Sequence, residues 1–429
     1  MRRPRLLLVT PETPAIRRFR RRQLNNFPQL TMPYLAGFVD EARFEVTLSD
    51  EYDAPIFPRA ACDLVAMTVN TPNALHCYRM AAAFRAQGAE VVFGGPHATL
   101  LPEEAAAHCD YLIEGEAEAT WPRFLEDYLR REARPRYRCA SPPSLSGLPH
   151  PRLDLIPRRR LARGATFATR GCPYSCRYCN LKQIYGPGFR TRPVAEVVAE
   201  IARLPDRHFV FWDDNLFGDV AYAKQLLRAL RPLRRRWAAQ VTADRCADDE
   251  LLQLAQASGC VYLFVGLESF SAASLASVNK SINAVEGYGS LVRSLHRHGI
   301  SVQAGIVFGL EEDRPEVFRE ALAACEALGI DGVTVSVLSP LPRTPVYESL
   351  RREGRLLTDD WSSFDGKTSV AFAPRHMSAQ TLFEGTTWFR RELYSLRSIA
   401  VRLARSRTNL RHGLLVNLGY KLSLGGGRR

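Results

Sequence analysis

Cys172, Cys176 and Cys179 crowd into one short run, Gly171-Cys172-Pro173-Tyr174-Ser175-Cys176-Arg177-Tyr178-Cys179-Asn180. Thiols at this C-x3-C-x2-C spacing suit an iron–sulfur cluster. A 4Fe–4S cluster has four irons that each want a thiolate, and the loop supplies three of them. Without a fourth cysteine, one iron stays open to hold a reactant. The other readings are a zinc knuckle and three chance thiols. Zinc usually takes paired C-x2-C or Cys/His clusters, and no second cluster lies close in sequence. The remaining cysteines are Cys62, Cys77, Cys109, Cys139, Cys246, Cys260 and Cys325. Most fall in helix- or strand-like apolar patterns, where a thiol packs as a small hydrophobe. Ten cysteines in 429 residues suit a reducing compartment.

The length allows two or three ordinary domains. A hydrophobic content of 46% with 24% charged residues is that of a soluble globular protein. No apolar run approaches the ~18 residues of a spanning helix. Leu6–Val9 is too short for the apolar core of a signal peptide, so no membrane contact and a cytoplasmic location are expected. The net charge of +13 comes from scattered arginine blocks: Arg17–Arg18, Arg20–Arg22, Arg158–Arg160, Arg234–Arg236 and the C-terminal tail. They lack the interleaved aromatics of a single-strand binding face, so solvated surface is favoured over nucleic-acid contact.

Residues 1–133 read as alternating α/β. Strands are expected at Leu6–Val9, Val46–Leu48, Leu64–Val69, Val91–Phe93 and Tyr111–Ile113. Helices are expected at Asn73–Gln87, from Glu103, and at Glu118–Arg130. This alternation implies a doubly wound parallel sheet with ligands at the carboxyl ends of its strands. Residues 134–160, rich in proline and serine, read as a linker. Over 161–348 the alternation resumes, with strands at Ala165–Ala168, Phe209–Trp212, Ala238–Thr242, Tyr262–Val265, Val302–Phe308 and Val333–Leu338. Residues 349–429 read as a mostly helical extension, with Ser378 capping a helix to Arg405 and a mobile tail from Lys421.

The cysteine run, with an aromatic just before its last thiol, resembles the signature of the radical S-adenosylmethionine (SAM) superfamily. The resemblance implies a partial (β/α)6 barrel whose functional residues cluster at the C-terminal strand ends. It implies that SAM chelates the open iron and that one electron cleaves it to a 5′-deoxyadenosyl radical, with a flavodoxin- or ferredoxin-type electron donor. Further matches follow in order. Asp213-Asp214-Asn215 stands where relatives place acidic or backbone groups against the SAM amine. Val265-Gly266-Leu267-Glu268-Ser269 stands where relatives use polar groups near the ribose. The run from Gly305 to Phe308 stands where backbone and apolar groups meet adenine, and the loop around Leu341 closes the sixth strand. Many relatives carry glycine at the Arg343 position, so the shape of that loop is in question. Tyr178 either packs beside adenine or fills the core. Arg245 either pairs with the SAM carboxylate or forms a surface salt bridge.

The N-terminal unit resembles the cobalamin-binding domain that precedes many radical SAM barrels. The matching stretches are Val92-Phe93-Gly94-Gly95-Pro96-His97-Ala98-Thr99, Pro102-Glu103-Glu104 and Glu114-Gly115-Glu116-Ala117-Glu118. The D-x-H-x-x-G motif that delivers a histidine to cobalt is absent; the nearest run, Asp206-x-His208, has Phe211 where glycine belongs. His76 and His97 are cobalt-ligand candidates on paper, and His97 reads better as a structural or interdomain residue. The first loop, with Arg17, Arg18, Phe19, Arg20–Arg22 and Phe27, is bulky where a flat corrin wants an open edge. An empty, scaffold-like domain is therefore expected, with cobalamin possible but not favoured.

The expected activity is hydrogen abstraction from a polar small molecule, leading to dehydration, deoxygenation or epimerisation of a sugar or aminoglycoside in antibiotic biosynthesis. Asp50, Glu51, Asp53, Glu114, Glu116, Asp213 and Asp214 would receive its ammonium groups through charge-assisted hydrogen bonds; they are equally readable as caps and surface carboxylates. The alternative is a cobalamin-dependent methyltransferase. A third reading is a non-catalytic protein that keeps its cluster as a staple.

Overall fold

A computed structural model describes residues 2–20, 27–57, 62–157, 163–280 and 282–424. Its N-terminal half is a parallel sheet of β1 (Arg5–Thr10), β2 (Glu45–Asp50), β3 (Leu64–Thr68), β4 (Glu90–Gly94), β5 (Tyr111–Glu114) and β6 (Arg136–Arg138), in the order β2-β1-β3-β4-β5-β6. β3, Leu-Val-Ala-Met-Thr, is buried at every position, as a strand with helices over both faces must be. The order reverses between β1 and β3, and a crevice opens at such a switch point.

Two local differences from the sequence reading have simple causes. Where one helix from Glu103 was expected, there are two short ones, Pro96–Leu100 and Pro102–Ala106, each with proline in its first turn. Proline pre-sets the first helical turn and cannot continue the turn before it. β6 lies inside the stretch read as linker. Its buried Tyr137 packs edge-on against Phe124 at 5.4 Å and donates to Asp127 at 2.8 Å, which ties this arginine-rich edge to the sheet.

The second sheet contains β7 (Gly164–Thr166), β10 (His208–Phe211), β11 (Arg236–Val241), β12 (Cys260–Glu268), β13 (Ser301–Phe308) and β14 (Gly332–Val337). All are parallel, in the order β14-β13-β12-β11-β10-β7. Between β7 and β10 lies a two-stranded antiparallel hairpin, β8 (Thr169–Arg170) and β9 (Arg190–Thr191). Successive residues of a strand face opposite sides. Trp237, Ala239, Val241, Leu263, Val265, Leu267, Val302, Ala304 and Ile306 are buried under the helices. Gln240, Phe264, Val307, Thr334 and Ser336 on the other face stay partly or fully exposed toward the lumen.

Ser378 accepts from Thr381 N, as expected of an N-cap. The single helix expected there is two, Ala379–Leu393 and Leu396–Ser406, because Ser395 caps the second. A last helix, Leu410–Leu424, includes residues read as the start of a mobile tail. Its Tyr420 accepts from Gln303 Nε2 at 2.9 Å and stacks on Tyr394 at 4.9 Å. That contact plugs the N-terminal ends of the barrel strands. Trp361 reaches back to the first domain, donating to Glu104 at 2.9 Å and meeting His97 edge-on at 5.4 Å. No described helix is long and apolar enough to cross a membrane.

Candidate active site

β8 and β9 pair Thr169 with Thr191 and Arg170 with Arg190. Residues 171–189 leave this hairpin as an excursion that carries all three cysteines. Its mouth is pinched at Gly171, which has φ of +88°, and a Cβ there would meet Gly188 O at 2.5 Å. Only glycine fits such a point. The excursion is tied to several strand ends of the barrel. Gly171 N donates to Asp214 at 3.1 Å, and Tyr174 donates to Asp244. Arg177 N donates to Val278 O at 2.9 Å, and Asn279 Nδ2 to Ser175 O at 3.0 Å.

The three thiols are half-buried. Burial raises all three, Cys179 to about 12. The buried ammonium of Lys280 opposes the rise at Cys172 and Cys176. Burial alone would lower Lys280, but Glu268, 3.3 Å from its Nζ, and Cys176 hold it above the ordinary range. A buried cation beside thiolates offsets the negative charge of a ligated cluster. Lys280 carries no motif, and nothing in the sequence singles it out. Among the described residues no three His, Cys, Asp or Glu side chains gather as a single ion requires. A cubane takes each thiolate on its own iron, so three thiols on one loop suit a cluster.

The structure sorts the other candidates. Asp213 is buried and spent on backbone: it accepts from Ala168 N at 3.1 Å, Thr169 N at 2.5 Å and Thr169 Oγ1 at 2.6 Å, splicing β10 to the chain between β7 and β8. Burial raises its carboxyl to about 7 and that of Asp214 to about 6. Glu268 sits at a bulge opposite β13 with φ of +66°. Its carboxylate pairs with Lys280, and its charge, after burial, raises the Tyr178 hydroxyl. Tyr178, Glu268, Lys280 and Cys176 thus form one group. Ser269 is buried; its hydroxyl accepts from Ser271 N at 3.1 Å and its carbonyl from Tyr288 at 3.3 Å, so it shapes a turn.

A Cβ on Gly305 would meet the Phe264 ring at 2.8 Å; the glycine makes room for that ring in the lumen. Phe308 points the other way, into the core, with ring centroids 4.9 Å from both Phe318 and Phe389. Only its backbone is left to meet adenine. Leu341 O accepts from Thr344 Oγ1 at 2.7 Å. Arg343 takes φ of +61°, the conformation that glycine adopts at no cost. Arg245 lies over the Tyr174 ring at 5.9 Å and 3.2 Å from Asp244. It forms a partly exposed ion pair that braces the cluster loop.

The acidic edge expected to receive an aminoglycoside is otherwise engaged. Glu51 binds His76 at 2.6 Å and Glu12 N at 2.9 Å, and Glu116 binds two arginines. His97 is fully buried, with its ring nitrogens 3.2 Å from Thr71 Oγ1 and 3.1 Å from Tyr78 Oη, so it is the structural residue its sequence context suggests.

Between the two sheets lies a cavity of about 340 Å³. One wall is the carboxyl edge of β3, β4 and β5, with Thr68, Gly94, Gly95 and Gly115. The other is Arg170, Tyr185, Trp212 and Asp214 of the barrel. Gly95 has φ of +97°, and a Cβ there would meet Thr68 Oγ1 at 2.8 Å. Of the first loop's described residues, Leu30 and Met32 line this space, as do Tyr34 and Leu35 just after it, whereas Arg17, Arg18 and Phe27 do not. The side chains of Phe19 and Arg20, and residues 21–26, lie outside the described residues. Tyr34 Oη and Glu118 Oε2, on two lining residues, are buried with no hydrogen-bond partner. Such orphans are costly unless a ligand or water serves them.

Residues 166–321 match the radical SAM superfamily, and residues 24–125 match the B12 binding domain. The chain is 31% identical over 381 residues to bacteriochlorophyllide d C-12(1)-methyltransferase of Chlorobaculum tepidum, covering 84% of this chain and 81% of that one. The chain belongs to the radical SAM superfamily, among the members that carry a B12-binding domain. It is also 25% identical over 333 residues to the C-8(2)-methyltransferase of the same organism, covering 73% and 74%. With the hopanoid C-2 methylase of Rhodopseudomonas palustris it shares 28% over 284 residues, covering 63% and 54%.

Several solved structures share the fold, two of which bear on the site. One is the radical SAM methyltransferase TsrM from Kitasatospora setae with cobalamin and a [4Fe-4S] cluster bound (TM-score 0.66, 20% identity, 82% of this chain and 78% of that one). The other is the cobalamin-dependent radical enzyme OxsB with aqua-cobalamin and SAM bound (TM-score 0.71, 15% identity, 97% and 72%). These relatives overturn two expectations. The two bacteriochlorophyllide enzymes, the hopanoid methylase and TsrM are methyltransferases, not dehydratases or epimerases of sugars or aminoglycosides, and neither a lyase activity nor a place in antibiotic biosynthesis has support. The empty scaffold expected of the N-terminal domain gives way to an open cavity in a B12-binding fold.

Proposed function

We propose that this radical SAM enzyme is a cobalamin-dependent methyltransferase acting on a largely apolar polycyclic small molecule of the tetrapyrrole class. The observation that carries this reading is the interdomain cavity, which has the carboxyl edge of the first sheet on one side and the stem of the cluster loop on the other. Its glycine edge suits the close approach of a flat ring. The orphaned Tyr34 hydroxyl and Glu118 carboxylate suit a ring with amide groups at its rim, as a corrin has. When bound, the cluster and SAM supply a radical that takes hydrogen from substrate carbon, and cobalamin supplies the methyl group.

The chain's own residues do the rest. Cys172, Cys176 and Cys179 would ligate the cluster, and Lys280 balances its charge. Asp213 and Asp214 hold the stem of the cluster loop through backbone N–H groups. Trp212, 45% exposed and fixed by its Nε1 bond to Pro28 O at 2.9 Å, stands where cavity and lumen meet. With Phe264 and Val307 it gives the lumen an apolar face that favours a flat, hydrophobic substrate. The electron comes from a flavodoxin- or ferredoxin-type carrier, and the chain's positive charge favours such an acidic partner.

The test is anaerobic reconstitution with iron, sulfide and hydroxocobalamin, followed by SAM, a low-potential reductant and bacteriochlorophyllide d. The expected products are 5′-deoxyadenosine, S-adenosylhomocysteine and a substrate carrying one more methyl group. Loss of all corrin on gel filtration, or 5′-deoxyadenosine with no methylation of any tetrapyrrole or hopanoid offered, would overturn the proposal.

A further inference from the structure

Glu116 follows Gly115 just beyond β5, and its side chain is 4% exposed. One of its oxygens accepts from Arg170 Nη1 at 2.6 Å; the other accepts from Arg190 Nη2. Arg170 and Arg190 face each other across the β8–β9 hairpin and are the two residues that bound the cluster excursion: Arg170 precedes Gly171, and Arg190 follows Phe189. Arg170 is held further by Glu118, and its guanidinium lies over Phe167 at 4.9 Å. Gly115 and Ala117, the neighbours of Glu116, line the interdomain cavity. One carboxylate therefore grips both stems of the cluster loop from the very turn that edges the proposed corrin site.

We propose that Glu116 is a positioning residue that fixes the cluster-bearing loop against the corrin-side edge, so that the two cofactors keep a single separation. This inference rests on the cobalamin reading above. Apolar packing could hold the two domains together without fixing how they are oriented. Two guanidinium groups at fixed register can both be satisfied by one carboxylate in only one placement. Charged hydrogen bonds are shorter and more directional than neutral ones. A buried ion pair also earns little net stability for its desolvation cost, so a geometric role explains its presence better than a stabilising one. Displacing reacting groups by ~1 Å can cost ~100-fold in rate, so a clamp at this seam has leverage on methyl transfer. Glu116→Gln keeps the size but replaces one acceptor oxygen with an amide that cannot accept, so one arginine loses its bond to residue 116 and keeps only its other partner, Glu118 for Arg170 or Pro143 O for Arg190.

The test is pulsed EPR on enzyme holding a reduced cluster and cob(II)alamin, reading the spin–spin coupling between them. The wild type should give one narrow distance distribution. In Glu116→Gln, with iron, sulfide and corrin content unchanged, the distribution should broaden or shift. In turnover, methyl transfer should fall by about 10- to 100-fold while 5′-deoxyadenosine formation falls far less. Hydrogen exchange without cofactors supplies an independent reading: residues 171–189 should exchange faster in the variant than in the wild type, and the barrel helix 317–328 should not. An unchanged distribution with unchanged exchange sinks the clamp and leaves the methyltransferase reading intact. A wild type that retains no corrin sinks the methyltransferase reading, and with it the clamp's stated purpose, whatever the exchange shows. Should Glu116→Gln fail to fold, Arg190→Gln removes one arm of the clamp and is read in the same way.

Discussion

The two sheets present their carboxyl edges to the same cavity and bind by opposite means. The barrel edge works through side chains: three thiols, the Asp213–Asp214 pair and the Glu268–Lys280 pair. The first sheet's edge offers mostly backbone: Gly94, Gly95 and Gly115 leave main chain at the surface, and its carboxylates are engaged, Glu51 by His76 and Glu116 by two arginines. Ligation by thiolate needs particular atoms at particular spacing. Receiving a flat ring needs mainly the absence of side chains. The two kinds of site therefore fail differently under substitution.

The largest effect belongs to the thiol side. Cys176→Ser should reduce bound iron and sulfide to background and abolish 5′-deoxyadenosine, while corrin binding persists, because no ligand of the first sheet is touched. Loss of corrin along with iron would break the comparison by making the two edges one site. The mirror experiment is Gly95→Ala. With φ of +97° and ψ of −178°, this position costs a residue with a Cβ about 1–3 kcal/mol, and the new methyl would press on Thr68 Oγ1. Corrin affinity should fall severely with iron content unchanged; equal corrin binding would mean the ring does not approach this turn.

How legible the sequence is follows the same division. The cysteine spacing singled out the excursion at residues 171–189, and the strand–helix alternation placed every strand of the barrel to within a few residues. The glycine turn after β4 was visible, but that it walls an open cavity was not. The bulk of Arg17, Arg18 and Phe27 argued against a corrin, and only three dimensions show Leu30, Met32 and Tyr34 lining the space instead. Lys280 and the Arg170–Glu116–Arg190 bridge were invisible, because each partner is distant in sequence and carries no motif. Phe308 misled for the opposite reason: a residue adjacent to a functional strand end still alternates in and out, and this one faces the helices.

Asp213 and Asp214 sharpen the view of the barrel edge, since the first is structural. Burial raises the Asp213 carboxyl to about 7, well above the ~4 of an unfolded chain. A fold that holds its acid protonated has that stability in full below the unfolded value and loses it as pH climbs toward about 7. Between those limits the loss approaches about 1.4 kcal/mol per pH unit. Thermal unfolding of the wild type should decline from pH 5 to pH 8, and Asp213→Asn should remove most of that decline. The same slope in both proteins would show that this carboxyl does not titrate there.

The smallest effect concerns the residue whose neighbours count for more than its place in a motif. If Phe308 touched adenine through its ring, Phe308→Leu would weaken SAM binding. Its ring is instead clasped by Phe318 and Phe389 and is 1% exposed. The substitution should cost about 1 kcal/mol of stability, as an apolar swap with imperfect repacking does. The dissociation constant for SAM, measured by calorimetry on the cluster-loaded enzyme, should not change. A tenfold weakening with unchanged stability would put the ring in the nucleoside site. The barrel edge would then bind through an aromatic face as well as through charged side chains and thiols, and the contrast with the glycine edge across the cavity would be sharper still.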